Sequence, residues 1–221
     1  MQLSGQSEDT IAVDEPRAKI FDFTLDAVMP VQTFNEKLGK DMFGFTMAYY
    51  VERKSKNYDF WGFQFDYGHL GSRTNRYLTP ANQGIIEVDE RTGSNFVGLH
   101  FMYRYYTPFF FWKIEPFAEA ALGTKMFYTN TTRNFFDEEG SSDFDFDEFD
   151  MNVSYGVGIG FTAQLSGQFF FITKMHFYSG NSLSYLVPKD GDDEIPINNF
   201  FTETTQTNLV RLQFGVSYTF F

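Results

Sequence analysis

Apolar and polar side chains alternate from Asn208 to the last residue, Phe221. One face of this segment carries Val210, Leu212, Phe214, Val216, Tyr218 and Phe220, and the other carries Leu209, Arg211, Gln213, Gly215, Ser217 and Thr219. A period of two residues predicts a β-strand. In a transmembrane barrel the apolar face of such a strand contacts lipid, and the polar or small face lines the lumen.

Seven further segments show the same alternation, which brings the predicted number of strands to about eight. They lie near Ile20–Pro30, Phe43–Glu52, Trp61–Gly68, Val97–Tyr105, Ile114–Lys125, Val153–Thr162 and Phe171–Tyr178. Each segment can supply most of the roughly 9–11 residues that a tilted strand needs to cross a membrane. Glycines fall repeatedly on the predicted inner face, where a narrow barrel has little room for side chains.

The connections between these segments alternate in length. Short connections span Arg53–Asn57, Thr107–Lys113 and Leu165–Gln168, whereas longer ones span Val31–Asp41, Gly71–Gly93, Thr129–Asp150 and Gly180–Thr205. Short periplasmic turns and long extracellular loops are typical of outer-membrane barrels. We therefore expect an all-β protein, a closed antiparallel up-and-down transmembrane β-barrel over residues 19–221. A periplasmic N-terminal segment, residues 1–18, would precede it, and an even strand number would place both termini in the periplasm.

Composition agrees with this class and excludes several others. Aromatic residues make up 20% of the 221 residues, yet the mean hydropathy is only -0.31, and no apolar run reaches the length of a membrane helix. The net charge of -12 argues against nucleic acid as a partner, because phosphate contacts require clustered lysine and arginine. Cysteine is absent, so thiolate metal sites and disulfides are excluded. We predict no cofactor and no metal.

The stretch Pro116–Gly123 and the aromatic end of the chain resemble the small OmpA, OmpX and OmpW-like barrels and the PorT-like barrels of Bacteroidota. This resemblance implies a location in the bacterial outer membrane. It also implies a C-terminal assembly signal at Tyr218, Phe220 and Phe221, in which the alternating frame ends on Phe220. Such families include inert anchors, adhesins, small-solute channels and accessory subunits of secretion machines, so the resemblance leaves the function open.

Charged and titratable side chains are expected to face the lumen. They are Asp22, Asp26, Glu52, Asp66, His100, Arg104, Glu115, Glu119, Lys125, Lys174, His176 and Arg211. One interpretation is a gated pore or a proton-linked pathway. The other is a buried salt-bridge network that plugs the barrel, since burial of charges requires that each be paired. We favour the plug, because barrels of about eight strands have an interior that side chains fill.

Three connections carry unusual side chains. Two of the long connections are acidic, at Asp137–Glu139, Asp143–Asp150 and Asp190–Glu194, and Asp143, Asp145 and Asp147 resemble the start of a calcium loop. Glu148 replaces the glycine that such a loop needs, so we favour a solvated acidic surface. The short turn Phe109, Phe110, Phe111 and Trp112 indicates either an interfacial aromatic anchor or a docking patch for a partner.

Catalysis has weak support in the sequence. His69 near Ser72 is the only arrangement that resembles the histidine and serine of outer-membrane enzymes, and no acidic partner accompanies it. We therefore expect a non-enzymatic structural or accessory subunit of a larger outer-membrane assembly, such as a secretion or surface-export complex. Its partners would be outer-membrane lipid and other outer-membrane proteins. A small-solute channel or a surface-binding barrel is the alternative, and a lipid-modifying enzyme is a third possibility.

Overall fold

Eight antiparallel strands close into a barrel in the computed structural model, which describes residues 16–55, 57–81, 84–108, 112–136, 142–188 and 195–221. The barrel strands are β1 (Lys19–Pro30), β2 (Met42–Glu52), β3 (Asp59–Ala81), β4 (Gly84–Tyr106), β5 (Ile114–Phe136), β6 (Ser142–Ser166), β7 (Phe169–Gly180) and, after a separate hairpin, β10 (Leu209–Phe220). The first and last strands close the ring, with a register from Lys19 opposite Phe220 to Pro30 opposite Leu209. The predicted fold class, a closed up-and-down barrel of about eight strands, is confirmed.

The two ends of the barrel differ, as the alternation of connection lengths predicted. Short turns join β2 to β3, β4 to β5 and β6 to β7 at one end, here called the short-turn end. At the opposite, long-hairpin end, β3 pairs with β4 as far as Ala81 opposite Gly84, and β5 pairs with β6 as far as Asn134 opposite Ser142. The sixth strand therefore continues well beyond Val153–Thr162, the segment in which its alternation was most regular.

The interpretation of residues 71–93 and 129–150 as long loops was wrong. Of these ranges, residues 71–81, 84–93, 129–136 and 142–150 form strand extensions that make β3, β4, β5 and β6 between 23 and 25 residues long. Backbone hydrogen bonding between neighbouring strands does not require alternating hydrophobicity, so polar segments such as Arg73–Arg76 pair as readily as apolar ones. The pattern therefore marks the apolar band of each strand rather than the whole strand.

The other two long connections fold into the mouth of the barrel. The first contains a short helix, α1 (Thr33–Leu38), which ends at Gly39 in the left-handed conformation with φ of 66°. The last contains a two-stranded hairpin of β8 (Ser182–Pro188) and β9 (Phe200–Gln206). A single 3-10 turn, Pro196–Asn199, comes directly before β9. Neither helix among the described residues is long and apolar enough to cross a membrane.

Side-chain facing follows the predicted alternation. Outward-facing apolar side chains are exposed, with Leu25 at 64%, Phe63 at 69% and Val157 at 63%. Inward-facing positions are buried even where the residue is charged, as at Asp22 and Arg104. Together the strands thus present a continuous outward apolar band around a polar interior, which is the reverse of the arrangement in a water-soluble domain.

Candidate functional site: the filled barrel lumen

The half of the lumen nearer the long-hairpin end is organised around Asp66. The guanidinium of Arg211 forms an ion pair with Asp66 and lies 3.7 Å from Asp26. The Nδ1 atom of His100 lies 2.9 Å from Asp66 Oδ2. The Thr46 hydroxyl oxygen lies within hydrogen-bonding distance of both carboxylates, 2.9 Å from Asp66 Oδ1, and can donate its one proton to either of them. Strands β1, β2, β3, β4 and β10 therefore meet in one buried cluster.

The half nearer the short-turn end is organised around Arg104. Its Nη2 lies 2.5 Å from Asp22 Oδ2, and its Nε lies 2.6 Å from Glu119 Oε1. Glu119 also accepts a hydrogen bond of 2.7 Å from the Tyr50 hydroxyl, and its other oxygen lies 2.7 Å from His176 Nε2. All of these side chains are buried, so charge pairing replaces the hydration that they would have in water.

Gln213 joins the two clusters. Its Oε1 atom lies 2.9 Å from His176 Nδ1, and its Nε2 atom donates to Asp26 Oδ1 at 3.0 Å. A second amide, Gln64, donates to Asp66 Oδ1 at 2.8 Å and to the Tyr178 hydroxyl at 2.7 Å. The polar side chains thus form one connected network through the middle of the barrel.

Opposite charges are paired in this network. The buried carboxylates Asp22, Asp26, Asp66 and Glu119 lie beside the buried cations Arg104, Lys174 and Arg211. Lys174 Nζ lies 3.7 Å from Asp22 and 3.8 Å from Glu119. Lys125 donates instead to the backbone oxygen of Thr207, at 2.8 Å. A buried network of paired charges is what a plug requires.

Two of the predicted lumen residues lie outside the network. Glu52 is buried at the short-turn end, where its Oε2 accepts a hydrogen bond of 2.9 Å from the backbone N–H of Ala18. Glu115 is partly exposed and lines a cavity of about 280 Å³ at the same end, beside Tyr58 and Thr162. Along their strands, Glu52 and Glu115 lie nearer the short-turn end than the charged clusters do.

Sequence reasoning did not single out several members of the network. They are the neutral polar residues Thr46, Tyr50, Gln64, Tyr178 and Gln213. Each had a usable signal, because it has the same parity along its strand as a predicted inner charge. A rule that every polar or phenolic side chain on the inner parity joins the network would have found them.

Aromatic side chains close the lumen at both ends. At the long-hairpin end, Phe34 from α1 packs against Phe127 with ring centroids 6.0 Å apart and against Tyr185 from β8 at 5.3 Å. At the short-turn end, the Tyr106 ring lies 5.6 Å from Phe60 and 5.4 Å from Phe117. The connections predicted as loops therefore supply the cap, and the barrel interior lies between two hydrophobic layers.

A second polar network lies on the inner face of the long hairpins, beyond the barrel proper. Arg133 Nε lies 2.9 Å from Glu90, and its Nη1 lies 2.8 Å from Asp145. The Tyr77 hydroxyl donates to Glu90 at 2.7 Å. Partial burial, reinforced by the bond to Glu90, raises the pKa of Tyr77, and the hydrogen bond to Glu90 raises the pKa of Arg133.

The acidic segment of β6 forms a strand rather than a calcium loop. Asp143 and Asp145 face Arg133, and Asp147 accepts a hydrogen bond of 2.6 Å from the Thr131 hydroxyl. Within the described ranges, no group of three or more histidine, cysteine, aspartate and glutamate side chains is placed to hold a metal ion. The acidic stretches at 137–139 and 190–194 lie outside the described residues.

The remaining candidates are the aromatic turn and the C-terminal assembly signal. Phe109, Phe110 and Phe111 lie outside the described residues, and Trp112, which follows them, is 93% exposed. Phe220, in the predicted assembly signal, is the last residue of β10, and its ring lies 5.6 Å from that of Tyr218. Phe221 follows the strand and is exposed.

His69 and Ser72 lie on β3 on either side of a bulge. The register of β3 against β4 shifts between His69 and Gly71, so Leu70 is the extra residue. The Nδ1 atom of His69 lies 2.8 Å from Asn95 Oδ1. The side chain that orients the His69 ring is therefore a neutral amide rather than the carboxylate that a catalytic triad would use.

Solved structures that resemble this chain are small barrels. Neisserial surface protein A has a TM-score of 0.47 and 11% identity over 92% of this chain and 99% of its own. The outer membrane protein OprG from Pseudomonas aeruginosa has a TM-score of 0.47 and 11% identity over 92% and 96%. Ail of Yersinia pestis, in complex with the heparin analogue sucrose octasulfate, has a TM-score of 0.37 and 11% identity over 92% and 97%.

No protein-family model matches the chain, and no curated protein matches it. The similarity to these solved structures concerns the fold.

Proposed function

We propose that this chain is a non-conducting β-barrel of the bacterial outer membrane and a structural or accessory subunit of a larger assembly there, such as a secretion or surface-export complex. Support for the membrane comes from the outward apolar band, since so large an apolar surface would aggregate in water. Support for the orientation comes from the short turns, which in outer-membrane barrels face the periplasm. The N-terminal end of β1 and the C-terminal end of β10 both lie at the short-turn end, so both termini would be periplasmic.

The observation that carries the proposal is the filled lumen. Arg104 and Arg211, the largest fully buried side chains, lie across its centre, and each is paired with two carboxylates. The aromatic layers close both ends. Because side chains fill the interior, any activity of this protein would take place on its outer surfaces. The filled interior therefore disfavours the small-solute channel.

The outer surface that fits a protein partner lies at the tips of the long hairpins. Leu78, Ile85 and Phe136 share the outward face there and are 71%, 73% and 54% exposed, and we call them the hairpin-tip patch. Arg76 lies 5.5 Å above the Phe136 ring. Apolar residues with a neighbouring arginine are typical of the cores of protein interfaces. A barrel that served only as an anchor would have no need of such side chains in water.

We also propose that the protein is not an enzyme. The third possibility, a lipid-modifying enzyme, depends on His69 acting as a general base. A general base of this kind is oriented and strengthened by a carboxylate, whereas His69 has Asn95. We therefore propose that His69 is not catalytic.

Conductance measurements test the plug. Purified protein reconstituted into planar lipid bilayers should give no stable conductance steps, because the network and the two aromatic layers leave no continuous path. Insertion is checked separately by heat-modifiable migration on gels, which closed barrels show. Stable steps of porin size from a heat-modifiable preparation would refute the plug and support the channel alternative.

Co-purification tests the accessory role. The protein is cross-linked in its native membrane, isolated in mild detergent, and compared with a variant carrying Leu78→Ser, Ile85→Ser and Phe136→Ser. The variant should remain heat-modifiable and lose the partner that the wild type retains. Phe146→Ser, which removes an exposed aromatic ring elsewhere on the hairpins, is the matched control and should retain it. A wild type isolated only as a bare monomer would count against the proposal.

A further inference from the structure

A groove of about 740 Å³ lies on the outer face of the barrel at the long-hairpin end, and we call it the outer groove. It is open to the outside and has no connection with the filled lumen through the sheet. Residues from four strands line it, among them Tyr67, Asn95, Met126, Asn130, Phe146 and Phe149.

The groove marks the level at which neighbouring strands change character. On β3, β4 and β5 the outward face turns polar at His69, Asn95 and Asn130. On β6 the outward face stays aromatic beyond this level, at Phe149, Phe146 and Phe144, past a bulge in its pairing with β5. The groove is therefore apolar where it joins the barrel band, amide-rich on one wall and aromatic on the other.

The polar wall is pre-organised. Asn95 is 6% exposed, and its Oδ1 accepts from the Tyr67 hydroxyl at 2.9 Å and lies 2.8 Å from His69 Nδ1. Its Nδ2 donates to Asn130 Oδ1 at 3.2 Å. Asn130 lines the groove and is partly exposed, so its amide nitrogen can donate a hydrogen bond to a ligand.

The aromatic wall is also shaped before any ligand arrives. The ring centroids of Tyr128 and Phe146 lie 6.2 Å apart, and those of Phe144 and Phe146 lie 5.0 Å apart in an edge-to-face arrangement. Phe146 nevertheless remains 69% exposed. Flat aromatic faces beside amide groups suit sugar rings, which present C–H faces to the rings and hydroxyl groups to the amides.

We propose that the outer groove binds a membrane lipid with an uncharged sugar headgroup. Its acyl chain would lie along Val97 and Met126, which continue the apolar band, and its sugar would lie over Asn130 and Phe146, which are neighbours across the β5–β6 pair. None of the described lining residues is lysine or arginine, the residues that recognise phosphate, so a phosphate headgroup is disfavoured. This inference rests on the proposed placement in a membrane.

Lipid retention tests the inference directly. The full chain is purified in a detergent that contains no sugar, mixed with digalactosyl diacylglycerol and phosphatidylglycerol of matched acyl chains, and examined by native mass spectrometry. The expected result is preferential retention of the galactolipid as a defined one-to-one complex. Equal retention of the two lipids, or retention of neither, would overturn the inference.

Variants assign the binding to the groove. Phe146→Ser should lower the apparent affinity for the galactolipid by about fivefold, since an aromatic contact contributes on that scale. Asn130→Leu should lower it without loss of the fold, because Asn130 is partly exposed. Phe136→Ser, on the hairpin-tip patch, is the matched control and should bind as the wild type does. Equal binding by all three variants would place the lipid elsewhere and overturn the inference.

The heat-modifiable gel shift separates this inference from the proposed function. A preparation that fails to fold into detergent or lipid contradicts the membrane barrel itself. A preparation that folds, gives no conductance and shows no galactolipid preference leaves the proposed function standing and removes only the groove ligand.

Discussion

The barrel interior and the long hairpins contain the same arrangement of polar groups in two different environments. In both, an arginine lies between two acids, and a tyrosine hydroxyl donates to one of those acids. The tyrosine bonds have the same length, 2.7 Å from Tyr50 to Glu119 inside the barrel and 2.7 Å from Tyr77 to Glu90 on the hairpins. Geometry alone therefore does not distinguish the two networks.

Burial distinguishes them. The side chains of Arg104, Asp22 and Glu119 are 0% exposed, whereas Arg133 is 27% exposed and, of its two partners, Asp145 is 54% and Glu90 is 1% exposed. Water competes for the hairpin groups and screens their charges, but it does not reach the barrel groups. We infer that the inner network holds the barrel together and that the outer one only orients the hairpins.

The largest expected effect comes from removing the buried arginine. Arg104→Ala leaves Asp22 and Glu119 short of a charge partner in a dry interior and should lower the free energy of unfolding by about 3–5 kcal/mol. Arg133→Ala should cost about 1 kcal/mol, because Asp145 is already hydrated and removal of the partly exposed arginine side chain opens the buried Glu90 to water. Urea titrations in lipid vesicles, followed by tryptophan fluorescence, measure both. Equal losses for the two variants would erase the distinction between the networks.

The tyrosine pair gives a finer comparison because only one oxygen atom is removed. Tyr50→Phe takes a hydrogen bond from a buried carboxylate and should cost about 1.5–3 kcal/mol. Tyr77→Phe breaks a bond of equal length at a site nearer water and should cost about 0.5–1.5 kcal/mol. The same urea titrations apply. A larger cost for Tyr77→Phe would mean that the hairpins, and not the lumen, carry the stability.

Much of this comparison could be predicted from the sequence, but which charged side chains pair with each other could not. Alternation placed Asp22, Arg104 and Glu119 on the inner face, because the period of two depends on residues close together in the chain. The pairing of Arg104 with Asp22 depends on how far the strands are staggered around the ring, which the local pattern does not contain. The sequence therefore predicts the members of the network better than its bonds.

The aromatic caps of the lumen and the strand extensions could not be predicted from the sequence for a different reason. Phe34 and Tyr185 close the long-hairpin end, yet Phe34 lies in a segment without alternation and Tyr185 in an alternating run of only four residues, Ser182–Tyr185, so both fall in connections that the sequence predicts as loops. The extensions of β3 and β4 carry polar residues such as Arg76 and Asp89 that face each other across the pair. Strand pairing there is driven by the backbone, and hydrophobic periodicity cannot report it.

The smallest expected effect concerns a single added methyl group. A Cβ atom at Gly158 would overlap sterically with the His176 ring, which Gln213 and Glu119 hold at 2.9 Å and 2.7 Å. Gly158→Ala should therefore cost about 1–3 kcal/mol through overpacking. At Gly93 on the hairpins the nearest atoms would lie 3.9 Å away, so Gly93→Ala should change stability by less than about 0.5 kcal/mol. A barrel that tolerates Gly158→Ala as well as Gly93→Ala would have a lumen loose enough to admit water, and the plug would need to be abandoned.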